Sequence, residues 1–453
     1  MIVTILAFLF ILAFSITIHE FGHFLIAKLF KIPVEKFSIG YGPPLIRKQI
    51  GETDFRIAYF PLGGYVKIAG EEEGEITQKA QSTENTEGNI QKKEGTEYTE
   101  EKAQKTQNSG GVATFYEAPI YQRVLIVLAG PLFNIFSAFF VFIIILAGFG
   151  ILVNPYMKIT VDEGSAAEAA GLVDSDSIVM VAGRSIADWD AMFDVLSEYD
   201  SQRVSIGVVR AGEYLERELT VDINNIGLQP LVPPILGSLK LDGPAQKAGM
   251  QQGDRILKIG DSEIESWNQM VDTVRNSVDI PLRFSWLHEG EAKSATITPT
   301  AFYDPISEDT IGQVGAIMPL QRRHIPVIDV VSMSAERSVE VIWLTLKTLY
   351  QLIIGRISRR AIGGPIAIAR LSGESARWGF ENLLGLLAII SINLGLINLF
   401  PIPVLDGGHV VISVIEAARR KRFSKRTRII IQQIGYAIIL LLIVFVTFND
   451  ITR

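Results

Sequence analysis

The sequence predicts a membrane α-helical protein: four transmembrane helices forming one core, a β-hairpin after the first, and two repeated α+β modules between the second and third. Three observations carry that prediction. Mean hydropathy is +0.29 over 453 residues, whereas a soluble chain of this length would build about three domains. Four runs, 1–18, 124–153, 382–405 and 429–449, contain no Lys, Arg, Asp or Glu. Each is long enough for a helix to cross ~30 Å of hydrocarbon, the first with its continuation to Ala27. Between runs two and three, one pattern recurs at an offset of 78 residues.

Helix 1 covers 1–27. Nothing basic precedes it, and Lys28, Lys31 and Lys36 follow it. The loop after run three holds Arg419, Arg420, Lys421, Arg422, Lys425, Arg426 and Arg428, a cluster that stays cytoplasmic. Alternation then puts the N-terminus outside, 28–122 inside, and the segment between runs two and three outside. The missing basic n-region and A-x-A site argue against a cleaved signal peptide. A bacterial inner membrane suits this topology, with the repeated modules in the periplasm.

Within 28–70, the stretch GETDFRIAYFPLGGYVKI (51–68) reads as two short strands broken at Pro61, Gly63 and Gly64. Residues 71–113 predict a disordered acidic linker. Its residues 71–111 hold ten Glu and five Lys, a balance of −5 that makes up most of the net −7. The global acidity therefore says little about partners. The absence of Cys excludes a disulfide framework, a CxxC redox site and a Cys-based zinc ribbon.

Helix 2 covers 122–153. Then Ala166-x-x-x-Ala170-Gly171-Leu172 with Asp176-x-Ile178 matches Pro244-x-x-x-Ala248-Gly249-Met250 with Asp254-x-Ile256. Trp189 and Trp267 each follow their Asp by 13 residues. Two modules result, 155–223 and 235–300, each with a helical pattern after its Trp and β-rich alternation beyond. The pattern resembles PDZ domains of bacterial envelope proteases, which take a peptide as an added strand. Spacers with closed grooves are the alternative. In the connecting region 301–380, residues 336–357 are apolar but carry Lys347 and are flanked by Arg337 and Arg356. A fifth span would break the alternation, so an interfacial amphipathic helix is expected there. Helix 3 covers 381–406 and helix 4 covers 428–449.

The chemistry is concentrated at the end of run one, in His19-Glu20-Phe21-Gly22-His23. On a helix, positions i and i+4 share a face, so both imidazoles reach one metal ion and Glu20 can act as general base on a water. Ionisable groups inside a span are costly and are usually paired or functional. A catalytic zinc takes a third protein ligand. His288 lies in the second repeat, across the membrane, whereas Asp406 ends run three at a depth similar to His19. Pro401 and Pro403 open the helix there, which is tolerated where backbone lines a cavity or is buried in protein. His409 is a second candidate.

At these residues the chain resembles the site-2 family of intramembrane metalloproteases. HEFGH on a first span pairs with LDG after a later one. GYGPPL (40–45), PLGGYVK (61–67), GPLFN (130–134), GGPIAIA (363–369) and NLFPIPVLDGGH (398–409) extend the likeness along nearly the whole chain. The two repeats narrow it to a bacterial, PDZ-bearing member, and the acidic linker is the main departure. The resemblance implies one Zn²⁺ at His19, His23 and Asp406, with Glu20 as general acid/base. It implies that Asn398, Pro401 and Pro403 hold substrate, that Asn134 lies near the site, and that the strands holding Gly63 and Gly64 pair with an unwound substrate. Implied partners are the lipid bilayer and single-span membrane proteins already trimmed outside, such as an anti-sigma factor, or remnant signal peptides; no nucleic acid is implied. Two other readings remain: a non-catalytic signalling scaffold with a structural metal, and a metal transporter, which four spans without an internal span repeat disfavour.

Overall fold

A computed structural model describes residues 1–70, 114–223, 225–304, 309–356 and 363–452. The expected linker 71–113 lies outside the described residues, as does residue 357. In chain order the longer helices are α1 (Ile2–Leu29), α2 (Ile120–Phe149), α3 (Trp189–Ser197), α4 (Trp267–Arg275), α5 (Val327–Ile353), α6 (Pro365–Trp378), α7 (Phe380–Asn398), α8 (Asp406–Arg419) and α9 (Lys425–Thr452). The chain divides into two compact units, one of 1–145, 328–376 and 380–453, the other of 146–327 and 377–379.

In the first unit, four helices among the described residues are long and apolar enough to cross a membrane: α1, α2, α7 and, within α9, Arg426–Ile451. Between apolar helices in lipid, close contact of small residues and interhelical hydrogen bonds replace the hydrophobic drive. Both occur here. A Cβ on Gly22 of α1 would lie 2.8 Å from the Ala129 carbonyl carbon of α2. Ser15 of α1 and Ser391 of α7 share a buried hydrogen bond of 3.1 Å. Helix α5 is longer than the 336–357 segment expected to lie at the interface, and it is not among the four candidate spans. The expected helix 3 was to run from 381 to 406. Instead α7 stops at Asn398, and a non-helical bend over 399–405 delivers Asp406 as the first residue of α8.

The strands of this unit also differ from expectation. Pairing does not begin at residue 51; β1 (Val34–Ile50) and β2 (Thr53–Ile68) are long, bent strands. Residues 36–39 pair with 54–57 on one side and with 64–67 on the other, while 44–50 pair with 53–58. Two strands thus build a four-legged antiparallel sheet in the order 44–50, 53–58, 34–39, 64–68. The leg 64–68 is its edge.

The second unit contains the two repeats, each with its own core. Module 1 holds β3 (Ser177–Val181), β4 (Arg184–Ser185), β5 (Arg203–Arg210) and β6 (Glu213–Thr220) in the order β4-β3-β5-β6, packed on α3. Module 2 repeats the order β8-β7-β9-β10, with β7 (Arg255–Ile259), β8 (Ser262–Glu263), β9 (Leu282–His288) and β10 (Glu291–Ile297). It adds a further pair, β11 (Thr300–Asp304) and β12 (Asp309–Gln313). The cores extend past the expected module boundaries: Leu228 belongs to the first, and Val232 and Val314 to the second. In each module, Asp188 or Ser266 caps the helix that begins at the Trp, accepting a hydrogen bond from the backbone three residues on.

The repeated aspartates fix the turn before the first sheet strand. Asp176 is fully buried and accepts Val173 N–H at 3.0 Å, while Arg210 of β5 grips both its oxygens at 2.7 and 2.8 Å. In module 2, Asp254 accepts Gln251 N–H at 2.9 Å, and His288 stands where the 78-residue offset places the counterpart of Arg210, 2.6 Å away. The Arg210 hydrogen bond holds the Asp176 carboxyl below the usual carboxylate range. Its stabilisation is therefore complete above about pH 3.9 and is lost as pH falls through the lower folded value. Removing Arg210 leaves the buried Asp176 carboxylate without its charged partner. Arg210→Ala is accordingly expected to speed amide exchange across β3 and β5 in the full chain, and the gap from wild type should close below about pH 4. Equal acceleration in module 2, followed by mass spectrometry, would contradict this assignment.

Candidate metal centre

The cluster is assembled from two helices of the first unit and backed by a third, α2. His19 and His23 lie one turn apart on α1, and Asp406 opens α8. His19 Nε2 is 3.2 Å from His23 Nε2 and 3.0 Å from Asp406 Oδ2; His23 Nε2 is 3.6 Å from Asp406 Oδ1. Ligands of a tetrahedral zinc, each at ~2.0–2.1 Å, lie ~3.3 Å apart. The three atoms therefore have the spacing of three corners of such a site. Among the described residues, these three form the cluster able to hold a metal ion.

The orientation of both rings fits the same use. His23 Nδ1 donates to the Ile126 carbonyl of α2 at 2.8 Å, which leaves Nε2 with a free lone pair. His19 Nδ1 is 3.3 Å from the Asn134 side-chain amide, whose Oδ1 is buried without a partner. Amide oxygen and nitrogen are assigned from the hydrogen-bond network. With the amide turned over, Oδ1 accepts His19 Nδ1–H, the orphaned oxygen is satisfied, and His19 Nε2 also becomes a ligand. The residues present fit a zinc ion.

Space for the imidazoles comes from Gly130 of α2, where a Cβ would lie 2.6 Å from His23 Cε1 and 2.8 Å from His19 Cε1. The positive end of the α8 dipole lies behind Asp406. Val404, in the bend before it, has φ of 104°, a costly conformation for a β-branched residue. That strain turns the chain from α7 into α8.

Glu20 shares with these residues a cavity of about 650 Å³ that also takes in His409, Asn398 and Tyr436. Asn398 Nδ2 is 3.5 Å from His19 Nε2. The sheet edge forms one wall of the cavity. Gly64 runs so close to α1 that a Cβ there would lie 3.3 Å from Glu20 Cγ and 2.9 Å from the Ser38 carbonyl. Val66 of the same edge lines the cavity together with Glu20. Gly63 lies against the Tyr41 ring. Pro401 and Pro403 do not line this cavity; they belong to the bend, and the Pro403 carbonyl packs on Gly435 of α9. His409 lines the cavity but stands outside the three-residue cluster. Gly130, Tyr41 and Tyr436 were not singled out from the sequence, although Gly130 lies in GPLFN and Tyr41 in GYGPPL.

Residues 7–442 match the sequence model of peptidase family M50. A Neisseria meningitidis serogroup A protein named as a zinc metalloprotease is 31% identical over 475 residues, covering 99% of each chain. The Regulator of sigma-E protease RseP of Salmonella typhimurium is 31% identical and that of Escherichia coli 30%, each covering 99% of this chain and 98% of its own. Among solved structures, the PDZ domain of an SdrC-like protein from Listeria innocua is 19% identical and covers 20% of this chain and 99% of that one, with a TM-score of 0.17. The chain belongs to peptidase family M50 and is a membrane zinc metalloprotease.

Proposed function

We propose that this protease hydrolyses peptide bonds within the transmembrane segments of single-span proteins whose outer domains have already been trimmed. Anti-sigma factors and remnant signal peptides are the substrate types we infer. The observation that carries the reading is one cavity holding a three-ligand cluster, an adjacent carboxylate and an open strand edge, built on apolar helices. His19, His23 and Asp406 hold the zinc, which supplies a Lewis acid for the scissile carbonyl and its attacking water.

The remaining work falls to the chain's own side chains. Glu20 takes a proton from the attacking water and delivers it to the leaving nitrogen. Asn134 and the Ile126 carbonyl fix the two imidazoles. A helical substrate hides its carbonyls in intrahelical bonds, so it is bound extended, as a strand added to the 64–68 edge. Gly63 and Gly64 let that edge pass close to Glu20. Asn398 reaches the same space, whereas Pro401 and Pro403 act by shaping the bend. The basic loop 419–428 supports a cytoplasmic-side cavity in a bacterial inner membrane, with the modules periplasmic. Placing 71–113 as a linker fits the same topology.

Purified chain in detergent or nanodiscs, given a single-span model substrate, is expected to produce new peptide ends inside the span. Glu20→Gln should lower that rate by about 10²–10⁴-fold without loss of zinc. Full activity in Glu20→Gln would refute the mechanism. Asn134→Ala is expected to weaken zinc binding about 10–100-fold, read by competition with a chromophoric chelator. Gly64→Val places new atoms between the sheet edge and Glu20, so cleavage should fall while zinc affinity stays within about twofold; parallel loss of both would mean that the edge serves only to support the metal site.

A further inference from the structure

Three residues of the chain cluster with a unit other than that of their neighbours. Arg377–Gly379 packs with the second unit, although α6 up to Ala376 and α7 from Phe380 belong to the first. The Arg377 carbonyl, in the last turn of α6, accepts Leu241 N–H of module 2 at 2.9 Å. Trp378 lines a cavity of about 250 Å³ in module 2, together with Trp267, Met270 and Val274 of α4 and with Ile311 and Ala316.

Across that cavity lies a short bridged segment centred on Ala316. Gly237 N–H donates to the Ile317 carbonyl, Lys240 N–H to the Gly315 carbonyl, and Ile317 N–H to the Ser238 carbonyl, so Leu239 and Ala316 form a non-hydrogen-bonded antiparallel pair. In such a pair each residue's own N–H and C=O point away from its partner. The Ala316 groups therefore face away from Leu239, towards α4. Val314 is already bonded, its carbonyl accepting Ala245 N–H, but at Ala316 backbone groups directed at an apolar helix are the arrangement that takes an extended peptide as an added strand.

We propose that Trp378 is a built-in plug of the module 2 groove, displaced when an extended peptide with a large apolar side chain adds alongside Ala316. Peptide and plug compete for one apolar space. Trp378 is the last residue of α6, and Gly379 alone separates it from α7, which carries Asn398 and leads to Asp406, so groove occupancy is passed along the chain to the metal centre. That last consequence rests on the proteolytic function proposed above; the competition itself does not.

The test uses the full chain in detergent, in a Glu20→Gln background so that nothing is cleaved. The probe is the fluorescein-labelled peptide Gly-Ser-Thr-Val-Trp-Val, followed by anisotropy. Trp378→Ala is expected to bind it at least ~10-fold more tightly than the parent, and Trp378→Phe to stay near the parent. Because the chain has no Cys, Ala316→Cys supplies a unique thiol. Its reaction with maleimide should speed up at least ~10-fold when Trp378→Ala is added, and the probe should then slow it. Unchanged probe affinity and unchanged thiol labelling in Trp378→Ala overturn the proposal. A binding shift in a chain that, with Glu20 restored, cleaves no model span upholds the plug and defeats the proteolytic reading instead.

Discussion

The metal centre depends on how closely α2 approaches α1. Lipid gives apolar helices no reason to pack, so that contact rests on small residues and on the polar bonds they permit. Gly22 brings the Ala129 backbone onto α1, and Gly130 leaves the volume that the two imidazoles fill. On the other flank of α2, a Cβ at Gly395 of α7 would stand 2.7 Å from the Pro131 carbonyl. Helix α2 is thus wedged between the helix carrying two ligands and the helix leading to the third. A side chain at any of these glycines would separate the two halves of the site before touching a ligand.

That wedge also settles the polar accounts of the site. An imidazole buried among apolar helices must bond through both nitrogens, because a missing bond there costs more than in water. One nitrogen of each ring faces Asp406, and the other faces α2, at the Ile126 carbonyl or at Asn134. The second helix therefore acts as scaffold and as the outer shell of the site. From the sheet edge, Gly64 brings its backbone against Glu20, so the 64–68 leg and that carboxylate share one wall of the cavity.

Four candidate spans, the repeat and the meeting of His19, Glu20, His23 and Asp406 in one cavity were legible in the sequence, because each rests on a local pattern: an uncharged run, a fixed offset, an i, i+4 spacing, a carboxylate at a span end. Features that arise from tertiary closeness were less legible. Residues 34–50 do not alternate cleanly, since one bent strand serves neighbours on both sides, so the sheet was expected to start at 51. Module 2 was expected to end at 300, yet Val314 returns to its core after an intervening strand pair. Gly130 has no chemistry of its own, and only the position of the imidazoles gives it a role. Tyr436 reaches the cavity from a helix whose sequence is plain membrane-spanning composition.

The placement of α9 shows how an uninformative apolar helix acquires a register. Most of its large side chains are exposed and, in a membrane, would meet lipid, which cannot tell one turn from the next. The distinguishing contacts are polar and lie at the ends. Arg428 donates to Glu416 at 2.8 Å and stacks on the Tyr116 ring 4.5 Å away, while Glu416 also takes Arg123 at 3.4 Å. At the other end, Asp450 accepts the N–H groups of Gly364, Ile366 and Ala367 at 2.8 to 3.1 Å, capping α6. Sliding α9 by one turn would break both sets, and charged groups at such positions tolerate no vacancy. Between these anchors Gly435 meets the Pro403 carbonyl, and the next residue, Tyr436, enters the catalytic cavity. Two polar ends thus fix one aromatic ring in the middle of a helix whose apolar surface carries no positional information.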